Sequence, residues 1–78
     1  MNNDLFRFIR VQKRYSQRKF AEKVGISKGL VSLIETNERP VTRSTAAKVL
    51  SALGISDKEL EAIAKLQSIL KGDETKIE

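Results

Sequence analysis

Eleven Lys and Arg side chains stand in residues 1–50 against four Asp and Glu, whereas residues 51–78 carry four bases against six acids. The front of the chain is at +7 and the back at −2, within a net charge of +5. Cations segregated in this way offer hydrogen bonds and charge to anions, and the commonest polyanion inside a cell is nucleic acid. Few other chemistries are open to the chain. Its 78 residues include no Cys and no His, which removes thiolate nucleophiles, imidazole bases, disulfides and the usual zinc ligands together. No group of carboxylates sits in an apolar setting, so the chain is not expected to be an enzyme, and no cofactor or metal is expected.

A side chain that grips an anion needs a rigid element beneath it, and the spacing of apolar residues predicts five. Residues 4–14, DLFRFIRVQKR, place Leu5, Phe8 and Ile9 at helical intervals, with Phe6 adjacent and Asp4 at an N-cap or first-turn position. Ser16 precedes QRKFAEKV, in which Phe20, Ala21 and Val24 share one face and Gly25 follows as a left-handed C-cap. Ile26 leads to Ser27, an N-cap for a third helix whose Leu30, Val31 and Ile34 face one way while Lys28, Ser32 and Glu35 face others. TNERPV interrupts the pattern, because Asn37 tolerates a left-handed backbone and Pro40 disfavours helix at Arg39. Thr42 then caps RSTAAKVLSAL, whose Ala46, Val49, Leu50 and Leu53 form a stripe ending at Gly54. Ser56 opens DKELEAIAKLQSIL, with Asp57 and Glu59 in the first turn and Lys71 at the end, each sign suited to the helix dipole.

No segment alternates with period two for long enough to form a strand, so the expected fold is all-α, five short helices in a single domain of residues 1–71. The last residues, 72–78, read as a flexible C-terminal tail. A domain of this length buries only about 60% of the surface its unfolded chain exposes, so its core is modest. No apolar run approaches the roughly 20 residues that span a bilayer, and MNNDLF lacks a basic region followed by an apolar one. A soluble cytoplasmic protein with no membrane partner is expected.

The second and third helices, joined by a tight turn through Gly25, match the helix-turn-helix arrangement, in which one helix crosses the DNA backbone and the next enters the major groove. The residues make the match specific. Tyr15, Ser16, Gln17, Phe20, Ala21, Val24, Gly25, Ile26, Ser27, Val31, Ile34 and Glu35 fill the pattern of apolar residue, Ser-Gln, apolar-Ala, apolar-Gly-apolar-Ser and closing apolar-Glu. In this YSQRKFAEKVGISKGLVSLIE, and on through TAAKVLSALGIS, the chain resembles the Cro/cI-type (XRE) helix-turn-helix regulators of phages and bacteria over roughly residues 5–56.

That resemblance implies a repressor-like domain on a double-stranded DNA operator, with roles for particular residues. Base reading would fall to the outward face at the start of the third helix: Ser27, Lys28, Gly29, Ser32 and Leu33. Lys28 can donate to guanine O6 or N7, Ser32 can donate or accept, and Leu33 can pack on a thymine methyl. The structural alternatives are that Ser27 only caps, that Lys28 meets only phosphate and that Leu33 belongs to the core. Phosphates would be held by Ser16, Gln17 and Arg18 at the start of the second helix and by Arg39, Thr42 and Arg43 after the third. Arg14 and Lys19 would extend the same surface. Arg10 would pair with Glu35 to orient the helices and would also approach a phosphate; the alternative is a solvated, unpaired Arg10. About five neutralised phosphates would give log affinity a slope of roughly −4 to −5 against log salt.

Gly29 is the anomaly, since a helical Gly costs roughly 0.5–1 kcal/mol relative to Ala; close approach of the backbone to the groove would explain it. The last helix carries more apolar surface than an edge helix needs. Leu60, Ile63, Leu66 and Leu70 form a stripe widened by Ala62 and Ile69. Family members bind as dimers, so Ile55, Leu60, Ile63, Leu66 and Leu70 are expected to form a homodimer interface, with completion of the monomer core as the alternative. The segment TNERPVTRSTA departs from the family's usual longer loop and resembles a subset of antitoxins, which adds a cognate toxin or other regulatory protein to the candidate partners.

Overall fold

A helix leaves its first amides without partners, and this chain supplies a short polar side chain at every start. In a computed structural model, which describes the backbone of residues 1–76 and the side chains of residues 1–71, the order is α1 (Asn3–Gln12), α2 (Gln17–Val24), α3 (Lys28–Glu35), α4 (Arg43–Leu53) and α5 (Asp57–Lys76). Asn2, Ser16, Ser27, Thr42 and Ser56 accept from the amides of Leu5, Lys19, Leu30, Thr45 and Glu59 at 2.7–3.1 Å. Four of these caps are the ones the sequence predicts. At α1 the cap is Asn2, and Asp4 lies in the first turn, where its charge still faces the positive end of the helix. Gly25 and Gly54 close α2 and α4 in the left-handed conformation, as the pattern predicts.

The core forms where α1, α2, α3, α4 and the start of α5 converge. Phe6, Ile9, Phe20, Val31, Ile34 and Val49 are wholly buried. Phe6 meets Phe20 edge to face, with ring centroids 5.3 Å apart and planes at 89°, an arrangement that adds about 0.5–1.5 kcal/mol to the burial of the two rings. The buried set on α1 is Leu5, Phe6 and Ile9, with Phe8 only half-buried. This corrects the expectation for Phe8, which gave it the inward place and left Phe6 beside it. On α4 the stripe is likewise shifted: Thr45 and Val49 are buried, while Ala46, Leu50 and Leu53 are half-buried. A hydroxyl can occupy the inner position because Thr42 Oγ1 donates to Thr45 Oγ1 at 3.1 Å, leaving no buried polar atom without a partner there.

The apolar stripe of α5 divides in two. Ile55 and Ile63 are 6% and 9% exposed, and Leu60 packs against the same core. Ile55 and Ile63 therefore belong to the monomer core, the alternative to a dimer contact, and Leu60 is half-buried against it; so small a core needs the helix across it. Leu66 and Leu70 remain open, and together with Ile69 of α5 and Val11 of α1 they are 38–60% exposed. Val11 and Leu70 line one groove between α1 and α5, floored in part by Phe8. Ion pairs tie the two helices, Lys13 Nζ to Glu59 Oε2 at 2.8 Å and Lys71 Nζ to Asp4 Oδ2 at 2.9 Å. Both lie at or near the surface and contribute at most about 1 kcal/mol each.

The backbone of α5 runs as helix past Lys71 to Lys76, so the segment expected to be a tail from residue 72 begins as helix. Its side chains, and residues 77 and 78 altogether, lie outside the described residues, and with them the expected flexibility. Among the described residues no helix is long and apolar enough to cross a membrane.

Candidate nucleic-acid interface

The turn between α2 and α3 is set by one backbone angle. Gly25 has φ 86°, and its amide and that of Ile26 both donate to Ala21 O, at 2.8 and 3.0 Å. A Cβ at Gly25 would meet nothing within 4 Å, so it is the positive φ and not lack of space that requires glycine. Ala21 is buried, and its small side chain lets α2 and α3 approach closely while Phe20, Val24, Val31 and Ile34 fix their angle. With Val31 and Ile34 turned inward, the start of α3 leaves Ser27, Lys28 and Gly29 exposed and Ser32 and Leu33 half-buried. Ser27 also caps the helix, so its hydroxyl oxygen is engaged while its proton is free to donate outward. A Cβ at Gly29 would meet only Ser27 Oγ, at 3.9 Å.

The far end of α3 is held by a buried carboxylate. The Glu35 side chain is 5% exposed. Its Oε2 accepts from Arg10 Nε at 2.7 Å, and its Oε1 accepts from Arg10 Nη2 at 2.9 Å and Gln17 Nε2 at 3.0 Å. Arg7 Nε lies 3.6 Å from Oε1. Burial pushes the Glu35 carboxyl up, but hydrogen bonds from Arg10 and Gln17, with the charges of Arg10 and Arg7, outweigh it and hold the group below the usual carboxylate range. One carboxylate thus joins α1, the first residue of α2 and the last of α3. The Arg10–Glu35 pair that the resemblance implies is present as a bidentate fork.

Two expected phosphate ligands are drawn inward by this arrangement. Arg10 is 13% exposed, and its Nη1 donates to Tyr15 O at 2.7 Å. It orients helices, with three of its five N–H donors engaged inside the protein. Gln17 spends an amide N–H on Glu35 and is half-buried. Nothing local in QRKFAEKV signals its link to a partner eighteen residues ahead.

The remaining cations and amides stay open. Ser16 and Arg18 are exposed at the start of α2, where Ser16 takes the Lys19 amide and leaves those of Gln17 and Arg18 to an anion. Arg39 and Arg43 are exposed in the α3–α4 loop and at the start of α4. Thr42 is exposed, but its hydroxyl accepts from the Thr45 amide and donates to the Thr45 hydroxyl, so the side chain is engaged at the start of α4. Arg14 is exposed just before α2 and takes φ 64°, a left-handed angle unusual for a side-chain-bearing residue.

A helix-turn-helix family model matches residues 6–60. No curated protein and no solved structure matches the chain.

Proposed function

Because this chain belongs to the helix-turn-helix family that takes in the Cro/cI-type DNA-binding transcriptional regulators, we propose that it is a sequence-specific repressor acting as a homodimer on an inverted-repeat operator. The observation that carries this reading is the division of labour on α3. Its inward residues are sealed in the core and its end is clamped by Glu35, so the outward residues enter a groove on a rigid support. Lys28 donates to a guanine edge, Ser27 and Ser32 supply hydroxyls, and Leu33 lies against a thymine methyl. Arg18, Arg39 and Arg43, with the amides opening α2 and α4, grip the phosphates on either side. Repression follows from occupancy: a dimer on its operator excludes other proteins from the same duplex.

Dimerisation uses the open apolar residues Val11, Leu66, Ile69 and Leu70, which lie on α1 and α5, away from the α2–α3 turn in sequence. The same residues would hold a toxin if the chain were an antitoxin. Sedimentation of the purified protein separates the readings, since the first requires a dimer without any second protein.

Selection of bound duplexes from a random pool tests the function itself. The expected product is two inverted half-sites about 34–36 Å apart, one turn of the duplex, or a multiple of that distance. Lys28→Ala should relax preference at one position of each half-site. Recovery of no enriched sequence would refute the proposal.

A further inference from the structure

Asn3, the first residue of α1, donates from Nδ2 to two carbonyls far along the chain: Ile34 O at 3.0 Å and Arg39 O at 2.8 Å. An Asn amide nitrogen has two N–H donors, and both are used. Ile34 lies one residue before the end of α3 and Arg39 lies in the loop beyond it, so a single side chain spans the interval where the chain leaves α3 and turns toward α4. The backbone amides in this interval donate back to α3 itself. Asn37, at φ 66°, donates its amide to Ile34 O at 3.0 Å, and the amides of Glu38 and Arg39 go to Leu33 O at 2.8 and 3.2 Å. The single Thr36 Oγ1 proton has Glu38 Oε2 at 2.8 Å and Ser32 O and Leu33 O at 3.1 and 3.2 Å as acceptors. Those contacts wind the loop onto the end of its own helix, whereas Asn3 ties it to a different element.

We propose that Asn3 is a positioning residue for DNA binding: its amide pins the α3–α4 loop to α1, so that the exposed Arg39 side chain meets a phosphate from a loop already ordered. The inference rests on the reading that Arg39 contacts the DNA backbone. Its physical basis is the cost of binding. A cation on an unpinned loop must order backbone as well as side chain when it meets its anion, whereas a cation whose own carbonyl is held does not.

The test is a double-mutant cycle read by affinity for a duplex recovered by selection with the unmodified protein. Arg39→Ala, Asn3→Ala and the double variant are titrated at several salt concentrations, well below their melting temperatures. Arg39→Ala should weaken binding and reduce the magnitude of the salt slope by about one. Asn3→Ala changes no charge and should weaken binding roughly three- to tenfold. In the Arg39→Ala background it should add nothing, because the group it positions is gone. A purely structural clip would lower the melting temperature in both backgrounds and leave affinity unchanged; that result, or an equal affinity loss in both, overturns the proposal. Should Arg39→Ala leave affinity and salt slope intact, the reading of Arg39 fails and the proposal with it. An effective Arg39→Ala beside a silent Asn3→Ala rejects the proposal alone. If Asn3→Ala does not fold, Asn3→Gln, which keeps both donors on a longer side chain and misplaces them, is read in the same cycle with the same outcomes.

Discussion

Gly29→Ala is expected to make the protein more stable and a weaker DNA binder at once. Gly29 is the second residue of α3, exposed and free of any left-handed angle, and an added Cβ would touch only Ser27 Oγ at 3.9 Å, an ordinary van der Waals distance. Nothing within the protein resists the methyl group. Ala is favoured over Gly by about 0.5–1 kcal/mol inside a helix, and the first-turn position argues for the lower figure. In a domain of this size about 0.5 kcal/mol raises the melting temperature by roughly 2–4 °C. On DNA the methyl group would lie between the backbone of α3 and the floor of the groove. Lifting the helix start away from the bases would weaken the contacts of Ser27 and Lys28, and one good base contact is worth about 1–3 kcal/mol. Binding should therefore weaken, with Kd rising by about a factor of ten. Thermal melting followed by circular dichroism gives the first quantity, and fluorescence anisotropy against the selected duplex at fixed salt gives the second. A raised melting temperature with unchanged Kd would refute the role of Gly29 in close approach. A lowered melting temperature would refute the claim that the space beside it is open.

Glu35→Ala should destabilise the fold by about 3 kcal/mol, because it leaves the largely buried Arg10 guanidinium without its anion; urea unfolding measures this. The Glu35 carboxyl titrates lower in the folded chain than in the unfolded one. Its contribution is therefore complete above the ordinary glutamate pKa of about 4.3 and is lost as pH falls through the lower folded value, a slope that Glu35→Gln should remove from the stability profile. Arg14→Gly should stabilise the protein by roughly 0.5–1 kcal/mol, since glycine relieves the left-handed angle at φ 64°, while loss of the charge weakens binding to duplexes of any sequence. Leu70→Glu places a charge in the open groove between α1 and α5; it should leave the melting temperature of the monomer nearly unchanged and abolish the dimer seen by sedimentation, and a persistent dimer would put the interface elsewhere.

The helix starts and stops were legible in the sequence because they are local chemistry. Ser16, Ser27, Thr42 and Ser56 each act on an amide three residues away, and Gly25 and Gly54 act through their own backbone angles. The outward residues of α3 were legible by subtraction, once Val31 and Ile34 had claimed the inner face. What periodicity could not resolve was which of Phe6 and Phe8 on α1 turns inward, because a helix with apolar residues at 5, 6, 8 and 9 has no unique apolar direction until α2 and α3 pack against it. The same ambiguity let the stripe on α5 read as one surface when its first half is core. Contacts among Asn3, Gln17, Glu35 and Arg39 join polar residues 18 to 36 positions apart. The Arg10–Glu35 fork was legible only through resemblance, and the Asn3 and Gln17 bonds left no trace in composition or spacing.

The residues that hold α3 in place, Val31, Ile34 and Glu35 with the Ser27 cap, share only Ser27 with those it presents outward, Ser27, Lys28, Gly29, Ser32 and Leu33. If the outward residues read bases as proposed, heritable change can explore new operators without first risking the fold. On the proposed base-reading role, a lineage carrying this chain could exchange one set of target sites for another by change at Lys28, Gly29, Ser32 and Leu33, while the scaffold beneath them stays under separate selection. The converse also holds: changes at Arg10, Gln17 or Glu35 would be filtered for folding before any altered binding could be inherited.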